Sequence, residues 1–111
     1  MDTWSSITRS ELAAHLAKQT IALSPQSAER FSRYRVEPWL ATIHRDGVTG
    51  DEKVYIVAQD GALVVFFDDV EGEFAVGIVN EEDRLSNYNG LGDLSFTLFE
   101  FPERYADRRA R

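Results

Sequence analysis

From Trp39 onward the chain is cut into short segments by glycine-bearing turns, and this punctuation constrains the fold more than any other feature. Asp46-Gly47 through Gly50-Asp51, Asp60-Gly61, and Asp68–Glu73 centred on Gly72 all carry turn chemistry. Between them lie Trp39–His44, Lys53–Ala58, Leu63–Phe67 and Phe74–Val79, segments rich in β-branched and aromatic residues. Asp60-Gly61 reads as a tight hairpin, because glycine accepts a positive φ without steric cost. Connections this short join strands that run antiparallel, so the segment predicts a meander of about four strands.

The strands do not alternate cleanly. Val54, Ile56 and Ala58 share one face, but Tyr55 and Val57 make the other face apolar too. Leu63–Phe67 is apolar throughout. Both faces of such a sheet need cover, from helices on one side and from a further helix, a dimer mate or a partner protein on the other.

Two helices precede the strands. Thr8-Arg9-Ser10-Glu11 reads as a capping box, with Ile7 and Leu12 at the staple positions. Leu12, Ala13, Leu16 and Ala17 then make an apolar face that ends near Gln19 or Thr20. Ser24-Pro25 opens the second helix, with serine as N-cap and proline at the first helical position. Ala28, Phe31 and Tyr34 are expected to face inward, and Glu29, Arg30 and Arg33 outward. Pro38 disfavours helical geometry at Glu37 and ends the helix before it.

Residues 80–93, with three asparagines, two glycines and three adjacent acids, read as a long acidic loop. Leu94–Phe101 is open between two readings. It alternates like a strand, while Leu91, Leu94, Leu98, Phe101 and Tyr105 form a helical stripe with Asp93 as its N-cap. The fold class that follows is α+β. Two N-terminal helices pack on a four- to five-stranded antiparallel meander, and a short C-terminal helix or edge strand completes one domain. Residues 1–37 form its helical part, 38–80 its sheet, 81–93 the acidic loop, and 94–111 the last element with a basic tail.

The charge is unevenly spread. The total is −7, with +2 over residues 1–45, −12 over 46–103 and +3 over 104–111. So acidic a middle repels nucleic acid and anionic membrane and steers basic partners toward itself. The tail arginines, Arg104, Arg108, Arg109 and Arg111, suit RNA taken alone, but the acidic field beside them argues against it. There are no cysteines, so disulfides, thiolate metal sites and a cysteine nucleophile are excluded. The longest apolar run, Ala62–Phe67, is far short of the roughly 20 residues that cross a bilayer. Met1-Asp2-Thr3-Trp4 has no signal-peptide pattern, and a cytoplasmic protein is expected.

Few residues suggest chemistry. His15 and His44 stand alone, with no second ligand at metal spacing. No nucleophile elbow, P-loop or dinucleotide fingerprint occurs, and Gly90-Leu91-Gly92 lacks a phosphate-binding context. No catalytic role, cofactor or metal is therefore expected. The turn acids Asp68, Asp69, Glu71 and Glu73 lack the spacing of an EF-hand loop. Together with Glu81, Glu82 and Asp83 they could form a negative patch that meets a basic protein surface. Tyr88 is the aromatic that suits an interface anchor beside them.

Phe66–Asn80 (FFDDVEGEFAVGIVN), an acidic loop, and Asn89–Pro102 (NGLGDLSFTLFEFP) come in an order that resembles small acidic bacterial immunity proteins. Such proteins are encoded beside polymorphic and contact-dependent toxins. Several of their families show an acidic hairpin and then a G-L-x-G-D-L style turn that opens a helix. Gly90-Leu91-Gly92-Asp93-Leu94 is a near match to that turn, and the resemblance spans residues 54–102. It implies a helix over 94–101 and a protein that occludes the active site of a basic toxin, often a nuclease. The expected function is thus non-enzymatic binding by a monomer or homodimer, with Asp68, Asp69, Glu71, Glu73, Glu81, Glu82, Asp83 and Tyr88 as contacts. The alternatives are an enzyme or small-ligand domain with a pocket under loop 80–93, and a structural or regulatory homodimer that uses the second apolar sheet face.

Overall fold

The computed structural model describes residues 7–45 and 50–105. The Asp46-Gly47 turn, Trp4 and the arginines beyond Arg104 lie outside them. Helix α1 (Arg9–Ile21) opens on the expected capping box. Thr8 Oγ1 accepts from the Glu11 N–H at 3.1 Å, and Glu11 Oε1 accepts from the Thr8 N–H at 2.9 Å. That backbone hydrogen bond holds the Glu11 carboxyl below its ordinary pKa. Helix α2 (Pro25–Tyr34) is capped by Ser24, whose hydroxyl accepts from the Ser27 N–H.

Strand β1 (Arg35–His44) follows α2 without a loop and starts four residues before Trp39. Pro38 sits inside it. A proline is tolerated there because β1 lies at the sheet edge and its pairing with β2 shifts between Arg35 and Trp39. Strands β2 (Asp51–Asp60), β3 (Leu63–Asp68) and β4 (Glu73–Val79) continue the meander as the turns predicted.

The sequence reading fails next, at residues 80–93. Residues Leu85–Gly92 form strand β5, antiparallel to β4, so the sheet has five strands in the order β1-β2-β3-β4-β5. The loop-like composition is accommodated by two register shifts against β4 and by Asn87 at φ 48°. Leu85 is buried and Leu91 half-buried, which supplies the apolar contact that asparagines and glycines do not. Helix α3 (Leu94–Glu100) follows, with Asp93 as N-cap, and settles the open reading of 94–101 as helix. A 3₁₀ turn spans Glu103–Tyr105.

The helical layer is drawn from both ends of the chain, and not from the N-terminal pair alone. Leu94, Leu98 and Phe101 share one core with Leu12 and Leu16 of α1, Phe31 of α2, and Val57, Val65, Phe67, Phe74 and Val76 of the sheet. Polar contacts tie α3 to its neighbours. Gln19 Oε1 accepts from the Leu94 N–H at 3.0 Å, and the Ser27 hydroxyl donates to the Ser95 carbonyl at 2.6 Å. Arg30 does not face solvent as expected. It donates to the Leu98 and Phe99 carbonyls at the C-terminal end of α3 and pairs with Glu103 at 3.1 Å. Ala28 is exposed, and Ser27 is the α2 residue buried in its place.

The other sheet face is covered by the sheet itself. Ala41, Ile43, Val54, Ile56, Val64, Phe66, Ala75, Val79 and Leu85 form a second core, with Val36 and Trp39 at its margin. The bulges in β1, β2 and β4–β5 bend the sheet until its two edges meet. Thr42 pairs with Arg84 in an isolated bridge, and the Thr42 N–H donates to the Asp83 carbonyl at 2.8 Å. The bridge is parallel. An antiparallel meander of five strands requires this, because its first and last strands point the same way. This face is thus buried within the single chain.

Candidate acidic interface

The acids singled out from the sequence fall into two turns at opposite ends of β4. A strand of this length, at a rise of about 3.3 Å per residue, separates them by roughly 20 Å. They do not form one patch.

In the β3–β4 turn most of the acidic groups are engaged within the fold. Asp68 is 5% exposed. Arg45 donates to its Oδ1 at 2.8 Å and to its Oδ2 at 3.1 Å. The Val70 and Glu71 N–H groups also donate to Asp68 Oδ1, at 3.1 and 3.2 Å, so this carboxylate closes the turn and is not presented to a partner. Arg45 also pairs with Glu52 at 2.9 Å. Burial disfavours the charge on Arg45, but the bonds to Asp68 and Glu52 outweigh it and raise its pKa above the ordinary value. Asp69 Oδ2 accepts from the Ile7 N–H at 2.9 Å and ties the entry of α1 to the sheet. Glu73 is half-buried and lies over Gly90, where a Cβ would stand 2.0 Å from its Oε1. Glu71 alone of this group is exposed.

The β4–β5 turn is arranged the other way. Glu81, Glu82 and Asp83 are all exposed, and none forms an ion pair among the described residues. Asn80 holds the turn. Its Oδ1 accepts from the Glu82 N–H at 2.9 Å and from the Arg84 N–H at 3.0 Å. Its own N–H donates to the Arg84 carbonyl, and its carbonyl accepts from the Asp83 N–H, both at 3.0 Å. Asp83 adopts φ 60°, a left-handed conformation that aspartate tolerates in turns. The bond from Thr42 pins the same turn to β1. Three negative side chains are thus carried on a backbone that has little freedom left to lose on binding.

Beside the turn, Arg84 pairs with Asp51 at 3.0 Å, and His44 Nδ1 lies 3.3 Å from the other Asp51 oxygen. The bond to Arg84 is the main cause that lowers the Asp51 pKa. Tyr88 is on strand β5 and not in a loop. Its ring meets Phe66 edge-on at 6.2 Å, and 37% of the residue remains exposed. Gly77 makes room for it: a Cβ there would lie 3.1 Å from Tyr88 Cβ and 3.2 Å from Leu85 Cδ2.

Residues 85–92 are paired in the sheet, and Phe66, Ile56 and Ile43 fill its inner face. On the other side Asn89 and Leu91 line a shallow cavity of about 370 Å³ with Phe96, Glu100, Arg104 and Tyr105. Among the described residues no group of three or more His, Asp or Glu is placed to hold a metal ion, and no helix is long and apolar enough to cross a membrane. Two residues were overlooked. Phe96 and Phe99 stand on the outer side of α3 at 50% and 53% exposure. The helical stripe 94, 98, 101 left them outside, so the signal was present by subtraction.

Comparison of the chain with protein-family models, curated proteins and solved structures gives no match.

Proposed function

We propose that this chain is a non-enzymatic acidic binding protein of the bacterial cytoplasm that neutralises a basic toxin domain, as immunity proteins do. The observation that carries the reading is the β4–β5 turn. Glu81, Glu82 and Asp83 are exposed and without ion-pair partners there, on a turn fixed by Asn80. Held in place, they match a groove that evolved to take phosphates, and their field speeds encounter with a basic partner. Tyr88 lies on the adjoining strand and supplies an amphipathic anchor of the kind enriched at binding hot spots. Asp68, Asp69 and Glu73 have structural roles, so the proposed contact set narrows to Glu81, Glu82, Asp83 and Tyr88, with Glu71 too far away to share it.

The test starts from the purified chain immobilised and exposed to lysate of its source organism, then washed with rising salt. A basic effector captured in this way is purified and its affinity measured against salt concentration. Replacing Glu81, Glu82 and Asp83 by lysine is expected to weaken the complex and flatten its salt dependence, since fewer opposite charges are then screened. An affinity and a salt slope both unchanged by the triple reversal would remove the turn from the interface.

A further inference from the structure

Helices α1 and α2 and the start of β1 enclose a groove of about 450 Å³ that none of the acidic-turn residues touches. Leu16, Phe31 and Val57 form its apolar floor. Ala13 and Ala17 line the α1 wall, exposed where the sequence placed them in the core beside Leu12 and Leu16. Their small side chains leave the space open. Arg35 reaches in from β1, with its guanidinium carbon 4.6 Å from the centroid of the Phe31 ring.

The charge at this place is unusual for the chain. Every other arginine among the described residues is ion-paired: Arg9 with Glu37, Arg30 with Glu103, Arg33 with Glu29, Arg45 with Asp68, Arg84 with Asp51 and Arg104 with Glu100. Arg35 has no carboxylate partner there, although the sequence holds 19 acids against 12 lysines and arginines. The arginine left over among the described residues stands at a groove with an apolar floor beneath it.

We propose that this groove binds a small apolar molecule bearing a single carboxylate. The acid group sits on the Arg35 guanidinium, whose planar fork suits a carboxylate. The hydrocarbon body lies along Ala13 and Ala17 over Phe31 and Leu16, in the mostly apolar setting that small-molecule sites share. The Arg9–Glu37 pair is exposed at the rim, where Arg9 also donates to the Pro38 carbonyl at 2.7 Å, so Arg9 stays in place while Glu37 is free to swing into solvent. This site and the acidic turn have no residue in common, and either can fail without the other.

Decanoate is the probe, titrated below its micelle-forming concentration into the isotope-labelled protein and followed by amide NMR. Saturable shifts centred on Ala13, Ala17 and Arg35 are expected. Arg35→Gln is expected to weaken binding about tenfold, the loss of one charge-assisted contact. Ala17→Leu fills the groove and is expected to abolish the shifts while the rest of the spectrum stays in place. Decylammonium, with the same chain and the opposite charge, is expected not to saturate. Absence of saturable shifts with decanoate overturns the proposal, and so does equal binding by Arg35→Gln or by decylammonium.

Discussion

Arg45 grips both carboxylate oxygens of Asp68, at 2.8 and 3.1 Å, in a site where each side chain is largely withdrawn from water. The pair fixes the end of β3 to the chain that leaves β1. Removing Asp68 leaves Arg45 charged, largely buried and held by Glu52 alone. Asp68→Ala is therefore expected to cost about 3–5 kcal/mol. The double variant Arg45→Met, Asp68→Leu should cost clearly less, because the one charge it leaves without a partner is Glu52, which is more open to water than Arg45 or Asp68. Urea unfolding of the three proteins measures this, and equal losses for the single and double variants would contradict it.

A milder linkage sits at Asp51. Its pKa is lowered in the folded state, chiefly by the hydrogen bond from Arg84. A carboxyl with a depressed folded pKa stabilises above its unfolded value and loses that contribution as pH falls through the folded one. Asp51→Asn should thus be the less stable protein above pH 3.8, the ordinary aspartate value, with the gap closing as pH falls below it. Thermal unfolding of both proteins across that range reads the effect. A gap that widens toward acid would reverse the sign and exclude the linkage.

Gly77 controls Tyr88. Adding a methyl group there crowds Tyr88 Cβ and Leu85 Cδ2 on the next strand. Gly77→Ala is expected to lose about 1–3 kcal/mol, the usual scale of overpacking. It should also move the Tyr88 ring resonances while those of Tyr34 on α2 stay unchanged. Unaltered Tyr88 resonances would show that β5 shifts freely to absorb the methyl.

The cap of α3 carries a similar weight. Asp93 Oδ1 accepts from the Phe96 N–H at 2.8 Å, and its backbone carbonyl accepts from the Thr97 hydroxyl. Asp93→Ala should cost about 1 kcal/mol, as losses of N-caps do. Faster amide exchange at Phe96, with α1 unaffected, is the matching signature by hydrogen exchange.

The parts of this fold that depend on neighbours in sequence were legible. Thr8 and Ser24 bond an N–H three residues ahead and depend on little else; Asp93 does the same, but the alternation of Leu94–Phe101 left its helix open against a strand. The β2–β3 and β3–β4 turns were legible for the same reason. Strand β5 was not, since Asn87, Asn89 and Gly90 are poor strand formers, and their strand state depends on β4 and its bulges. The closure of the sheet was equally hidden, because Thr42 and Arg84 meet only after four strands have bent. In the candidate site, Asp68 and Glu82 look alike as turn acids. What separates them is Arg45, 23 residues away from Asp68, which sequence alone does not bring to it.

Strands β2 and β3 form a party wall between two dry rooms. Ile56 belongs to one and Val57 to the other, and so do Phe66 and Phe67. In most sheets a slip of one residue is policed by polarity, since it would turn charged side chains inward. Here a slip would exchange hydrocarbon for hydrocarbon, and polarity is blind to it. The watch falls instead to shape and to the hinges. Gly61 and Gly72, at φ 61° and 72°, take conformations that neighbouring residues adopt poorly, so each hairpin can turn at one place only. Alignment of the wall is thus kept at its corners.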